Sequence, residues 1–336
     1  MHFFRITLGL ILIFLVLSSG AQPITDTSIS GKSTFTIYVI PSKAKFDWSS
    51  PKTLYKSYRK NTVKNLFSKN NYTLGHAFIE LNSAQPEEHI ITGMCSAGKE
   101  DMQDFVLKEH YGLAVLGADV KGHLEDETKL KEKIEKYSRK GRLAFITIMI
   151  GDIAAERMSR FFNAYREYFD HNEPGGYRYG GAFWPRYHGE GSGCSGFALS
   201  FMSVAGLLQE EYEHWLVRIN IPMNLIGGPY NPDNEVSMKD IKKEEHWAQP
   251  DQNGQKESQL LEMYDPTLIF EWINGICDGK INRDEDVIKT VSLKKAKGLL
   301  VDGRNSTVPL DQDIFLERTD RSIFIDYYFG KISPPE

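Results

Sequence analysis

Cysteine is scarce in this chain: there are three in 336 residues, Cys95, Cys194 and Cys277. An odd and small number excludes a disulfide scaffold and leaves at least one thiol unpaired even in an oxidising compartment. Long apolar runs are scarcer still. The stretch that stands out, residues 6–17, holds twelve residues and is interrupted by Thr7 and Gly9. A bilayer-crossing helix needs about 20. There is no basic stripe either, because 40 Lys and Arg are interleaved with 45 Asp and Glu, which argues against a nucleic-acid partner. Metal-ligand spacing is also missing: His110, His123, His188, His214 and His246 form no i,i+4 pair, and no CxxC occurs. No metal and no cofactor are expected.

The N-terminus offers a positive pattern instead. Arg5 precedes the apolar run, and Ser18, Ser19, Gly20 and Ala21 follow it. Ser19 and Ala21 fall at −3 and −1 of a cut before Gln22, so residues 1–21 read as a cleavable signal peptide. The expectation is a secreted or periplasmic protein with no membrane span in its mature chain. Losing Arg5, the one charged residue of the leader, moves the formal charge from −5 to −6.

Residues 34–40 alternate and are β-rich, a first strand. Ser50-Pro51 opens a helix by a cap and a first-turn proline. Residues 72–82 and 88–94 read as two strands. Leu130, Ile134 and Tyr137 lie at helical spacing, and Gly141 ends that helix. Residues 143–150 form a continuous apolar run suited to a strand buried on both faces. A helix follows with Ala154, Met158, Phe161, Phe162, Tyr165 and Phe169 on one face. A Gly- and aromatic-rich loop then leads to a helix starting near Cys194. Beyond residue 221 prolines break the pattern. Asp265-Pro266 opens a short helix, and strands are expected around Ser292, Ile314 and Ile323. The expected division is a domain over 22–220 and a C-terminal extension over 221–336.

Chemistry concentrates in residues 189–202, GEGSGCSGFALSFM. Its glycines allow tight turns and close ligand approach, and Cys194 stands in the first turn of a helix. Unpaired N–H groups and the helix dipole there favour a thiolate and can hold an oxyanion. A structural bridge or a plain capping site would also fit this local sequence. The spacing formally matches a dinucleotide fingerprint, but PRYHGE precedes it in place of the required apolar strand. The same defect argues against an α/β-hydrolase elbow, which would also need a later histidine such as His214 or His246. His76 is the second signal. It sits within YTLGHAFIEL among Leu74, Ala77, Phe78, Ile79 and Leu81, where an imidazole needs a specific partner to offset burial. A thiolate and a base of this kind require one another, whatever their separation in sequence.

Gly75-His76-Ala77-Phe78-Ile79 on a strand, then an aromatic helix, then Tyr177-x-Tyr179, then Gly193-Cys194-Ser195-x-Phe197, resembles the circularly permuted NlpC-like cysteine peptidases and amidases of the papain-like superfamily. The resemblance covers roughly residues 34–208. It implies an α+β fold, with a papain-like antiparallel sheet packed against helices and an additional C-terminal α+β segment outside the likeness. It implies Cys194 as nucleophile and His76 as base. A polar residue on the neighbouring strand would orient His76. If residue 76 faces 94, Glu88 and Thr92 share the histidine's face; a one-residue slip brings His89 there. The expected activity is a thiol hydrolase or acyltransferase acting on an amide or ester. A cell-wall peptide or acyl group would be the substrate, with Tyr179 and Trp184, and with them Tyr177 and Tyr187, lining its groove. A secreted binding module without activity on the same fold is the alternative.

Overall fold

The structure, a computed structural model, describes residues 22–23, 32–66, 74–85, 87–97, 102–171, 176–249, 257–282, 287–320 and 322–332. Residues 1–21, read above as a leader, lie outside them.

In chain order the described elements are β1 (Gln22–Pro23), β2 (Thr34–Ile40), α1 (Pro51–Leu66), β3 (His76–Ala84), β4 (Glu87–Thr92), β5 (Met94–Ser96), α2 (Met102–Leu107), β6 (Val120–Leu124), α3 (Glu127–Ser138), β7 (Ala144–Met149), α4 (Asp152–His171), β8 (Arg178–Tyr179), α5 (Cys194–Val204), β9 (Leu216–Pro222), α6 (Met238–Lys243), β10 (Ser258–Tyr264), α7 (Pro266–Cys277), β11 (Ile288–Leu293), β12 (Ala296–Asp302) and α8 (Ile323–Ile332). Seven strands form the main sheet in the order β1-β11-β12-β7-β2-β3-β4. Its pairs are antiparallel except β1 with β11 and β12 with β7. The architecture is α+β.

The central strands are apolar on both faces because both faces are covered. Phe35, Ile37 and Val39 of β2, with Ala144, Ile146 and Ile148 of β7, pack with the apolar sides of α4, α5 and α7. Tyr38 and Ile40 point the other way, with Phe78 and Phe145, onto Leu130 and Tyr137 of α3. Period-2 alternation thus separates two apolar sets within one continuous run. Helix α5 is buried all round, with Phe197, Ala198, Leu199, Phe201 and Met202 at 0% exposure, as expected of a helix that is apolar on every side. Asp126 caps α3, accepting from the N–H of Lys129 at 3.1 Å.

A second core lies around the antiparallel β9–β10 ribbon, where Val217, Ile219, Ile221 and Leu261 meet Leu54 and Tyr55 of α1, Ile241 of α6 and Phe324 of α8. Residue 221, expected as a boundary, lies inside β9, and β11 and β12 join the main sheet. Two expected strands are corrected. Ile314 lies in irregular chain, and Ile323 begins α8. Ser322 explains the second correction: its Oγ accepts the N–H of Ile325 at 3.4 Å and its carbonyl that of Asp326 at 2.9 Å. Phe324, Ile325 and Tyr328 then share the buried side of a helical turn. Among the described residues, no helix is long and apolar enough to cross a membrane.

Candidate active site

Three short pieces of chain converge at one end of the main sheet. Strand β3 begins at His76, paired with Ile40 of β2. Its other neighbour, β4, pairs only from Ile79, opposite Thr92. The N–H of Ala77 is therefore left off that ladder, and it helps to lower the pKa of Cys194. Helix α5 starts at Cys194 itself. Its N-cap, Gly193, supplies no side-chain cap, so first-turn N–H groups stay available to another acceptor.

His76 is the hub. Its side chain is 2% exposed and that of Glu125 is 6%. The imidazole Nε2 bonds to Glu125 Oε2, and the ring also interacts with Cys194. Glu125 is also paired with Lys133 of α3. Burial pushes the Glu125 carboxyl up, but His76 and Lys133 outweigh it and hold the group down at about 2. For His76, burial favours the neutral ring, yet its bonds to Cys194 and Glu125 raise its pKa above the ordinary value. For Cys194, burial opposes the thiolate, yet His76, the Ala77 N–H and the Tyr179 hydroxyl lower the pKa below the ordinary value. Opposite shifts in two neighbouring groups bring their pKa values toward one another, the direction that favours a thiolate–imidazolium pair.

The orienting residue had been expected on the neighbouring strand, and this is corrected. Glu88 accepts a bond from Ser159 of α4. His89 bonds to Glu80 at 2.9 Å and faces Glu127 at 3.6 Å. Thr92 donates to the backbone carbonyl of Glu125 at 3.4 Å. The chain leaves the main sheet after Thr92, and β5 pairs instead with β6, whose end delivers Glu125. The N–H of Glu125 bonds to the carbonyl of Gly93 at 2.8 Å. A Cβ on Gly93 would lie 2.9 Å from Glu125 Oε2 and 2.8 Å from Phe78 Cβ, so only glycine permits this approach. An acid directly before the Asp126 cap was the sequence signal for Glu125, but nothing local tied it to His76.

Tyr179, expected in a substrate groove, lies closer to the chemistry than that. Its hydroxyl lies beside Cys194, near enough to the sulfur to help lower the pKa of the thiol. Burial first, then the neighbouring thiolate, keeps the phenol protonated well above its ordinary pKa. Cys95 faces the same cavity, its thiol pushed up to about 12 by burial and by the charges of Glu125 and Cys194. The three cysteines are free thiols.

His76, Tyr179 and Cys194 open onto a cavity of about 1320 Å³, also lined by Trp184 and Tyr187. Tyr177 lies elsewhere: its ring stacks on Phe169 and its hydroxyl donates to Asp170 at 2.8 Å. The chain before α5 is irregular from 180 to 193, not the strand that an α/β-hydrolase elbow requires. Compared with family models, curated proteins and solved structures, the chain matches none.

Proposed function

We propose that this chain is an exported thiol hydrolase of the permuted papain-like type, which cleaves an amide or ester through an acyl-enzyme on Cys194. One observation carries the reading: a single buried imidazole bonds both a helix-terminal thiol and a buried carboxylate. That is the order nucleophile, base and orienting acid.

In the first step the Cys194 thiolate attacks the carbonyl carbon, forming a C–S bond while the oxygen takes up the electron pair. Tyr179 and the first-turn N–H groups of α5 are the donors nearest the developing oxyanion. The intermediate collapses, the C–N or C–O bond breaks, and the His76 imidazolium gives its proton to the leaving group. Water then attacks the thioester with His76 as base, releasing the acid and restoring the thiolate. Glu125 stabilises the imidazolium in both halves and keeps its proton on Nε2.

The cavity has two chemically different walls. Its lining from residues 46–62 and 106–120 contains no charged side chain, whereas α3 contributes Lys129, Lys133 and Lys136. This supports a substrate with an apolar acyl part on the first wall. The carboxylates of a cell-wall stem peptide would match the lysine side. The volume exceeds the roughly 300–1,000 Å³ of an ordinary small-ligand pocket.

The test is hydrolysis of model acyl esters, acyl amides and a peptidoglycan fragment by the wild type and by Cys194→Ala. Turnover that depends on Cys194 is expected for at least one. A folded wild type that turns over none, with no acyl-enzyme by mass spectrometry, would favour the binding-module alternative.

A further inference from the structure

The stretch that carries Tyr179 and Cys194 has little regular structure of its own. Strand β8 is two residues long, and residues 180–193 are turns and extended chain. The phenol and the thiol nevertheless meet across it, so their alignment depends on attachments outside the stretch.

Backbone pairing of β8 with β6 is one such attachment, and Arg178 makes others. Its guanidinium donates two parallel bonds to Asp119, Nε to Oδ1 at 2.6 Å and Nη2 to Oδ2 at 2.5 Å. The Asp119 side chain is 1% exposed and that of Arg178 is 16%. The carbonyl of Arg178 accepts the N–H of Ser192 at 3.0 Å, two residues before Cys194. Gly191 packs so tightly here that a Cβ would lie 2.3 Å from that carbonyl oxygen. Asp119 is held in turn: its N–H donates to the Tyr230 hydroxyl at 2.9 Å, and the Tyr230 ring packs on Phe324 and Tyr327 of α8. Arg178, by its guanidinium and its carbonyl, and Asp119 thus join β8, the turn before α5 and the C-terminal part of the chain.

We propose that Asp119 and Arg178 are positioning residues for the Cys194 site, their ion pair fixing β8 so that the Tyr179 hydroxyl meets the Cys194 sulfur. This rests on the reading of Cys194 as nucleophile. A buried ion pair is a poor source of stability, since apolar replacements of equal volume often do as well. What it supplies is direction. A guanidinium held bidentate on a carboxylate fixes both its distance and its plane, and an ammonium cannot. Tyr179 follows Arg178 directly, so a shift of the Arg178 backbone would carry the phenol away from the sulfur.

The experiment compares wild type, Asp119→Asn, Arg178→Lys and the uncharged double variant Asp119→Asn/Arg178→Gln. Three quantities are read: urea stability, kcat and KM on the best substrate, and the pH dependence of Cys194 alkylation by iodoacetamide. Asp119→Asn leaves Arg178 buried without its charge partner, so it loses stability as well as activity. The double variant removes that burden and regains stability. In it, kcat stays about 10²-fold down with KM little changed, and the alkylation profile stays displaced toward an ordinary thiol. Arg178→Lys behaves likewise. A double variant that regains the wild-type profile and kcat together with its stability would overturn the positioning role. A wild-type profile already that of an ordinary thiol would overturn the reading of Cys194 itself, and the positioning role with it.

Discussion

The hydroxyl of Tyr179 lies beside Cys194 and helps to lower the pKa of its thiol. A phenol in this place favours the thiolate, and in the proposed mechanism it is a donor to the carbonyl oxygen of an acyl group on the sulfur. Tyr179→Phe keeps the ring and removes the hydroxyl. Its kcat should fall by about 10²-fold, the scale for removing one oxyanion donor. The Cys194 alkylation profile should move to higher pH. Unchanged kcat would assign Tyr179 to packing alone.

Cys194 and His76 should behave as one unit. Cys194→Ala and His76→Ala each abolish turnover, and the double variant is little worse than either, because residues acting together are not additive. Steady-state rates on one substrate decide this. Additive losses would separate the two residues.

Thiol reactivity should discriminate within a single cavity. Cys194 has a depressed pKa, Cys95 is pushed up to about 12, and Cys277 donates to the Gly298 carbonyl at 3.4 Å. At neutral pH iodoacetamide should label Cys194 first, as read by peptide mass spectrometry. Prior labelling of Cys95 would contradict the electrostatics of the site.

The pH dependence of stability follows from Glu125. Its pKa falls from an ordinary 4.5 to about 2 on folding, so its contribution is complete above 4.5 and is lost as pH falls toward 2. His76 acts in the opposite sense: with its pKa raised from 6.5, its contribution is complete below 6.5 and fades at higher pH. Glu125→Gln should therefore flatten the acid limb of a urea-midpoint profile. A mutant limb as steep as the wild type would show that other carboxylates set it.

Glu190 gives a separate test of the C-terminal segment. Its carboxylate is buried, accepts the Trp184 N–H at 3.0 Å and holds Arg318 at 2.5 and 3.0 Å. Arg318→Ala leaves that charge uncompensated, and removing one partner of a buried pair costs about 3–5 kcal/mol. Denaturant unfolding reads the loss. A cost under 1 kcal/mol would mean that Glu190 takes up a proton or finds another donor.

What the sequence made legible was local. Cys194 announced itself by the glycines before it and the helix after it, and His76 by being the polar residue of an apolar strand. Glu125 was hidden because its link to His76 passes through the pairing of β5 with β6, which no short window contains. Ile323 misled for a different reason. Its surroundings are β-branched and aromatic, and a short apolar run has no decisive period until its packing partners are known. Tyr177 and Tyr179 look equivalent in sequence, yet one rests on α4 and the other on the thiol.

The placement of β12 also sets an order of assembly. β7 lies between β2, more than a hundred residues earlier in the chain, and β12, which is farther still downstream. A growing or translocating chain therefore cannot close the sheet until residue 302 is free to pair, and such distant pairing is slow. Until then β7 presents a bare apolar edge, and β3 hangs on a framework missing its far side.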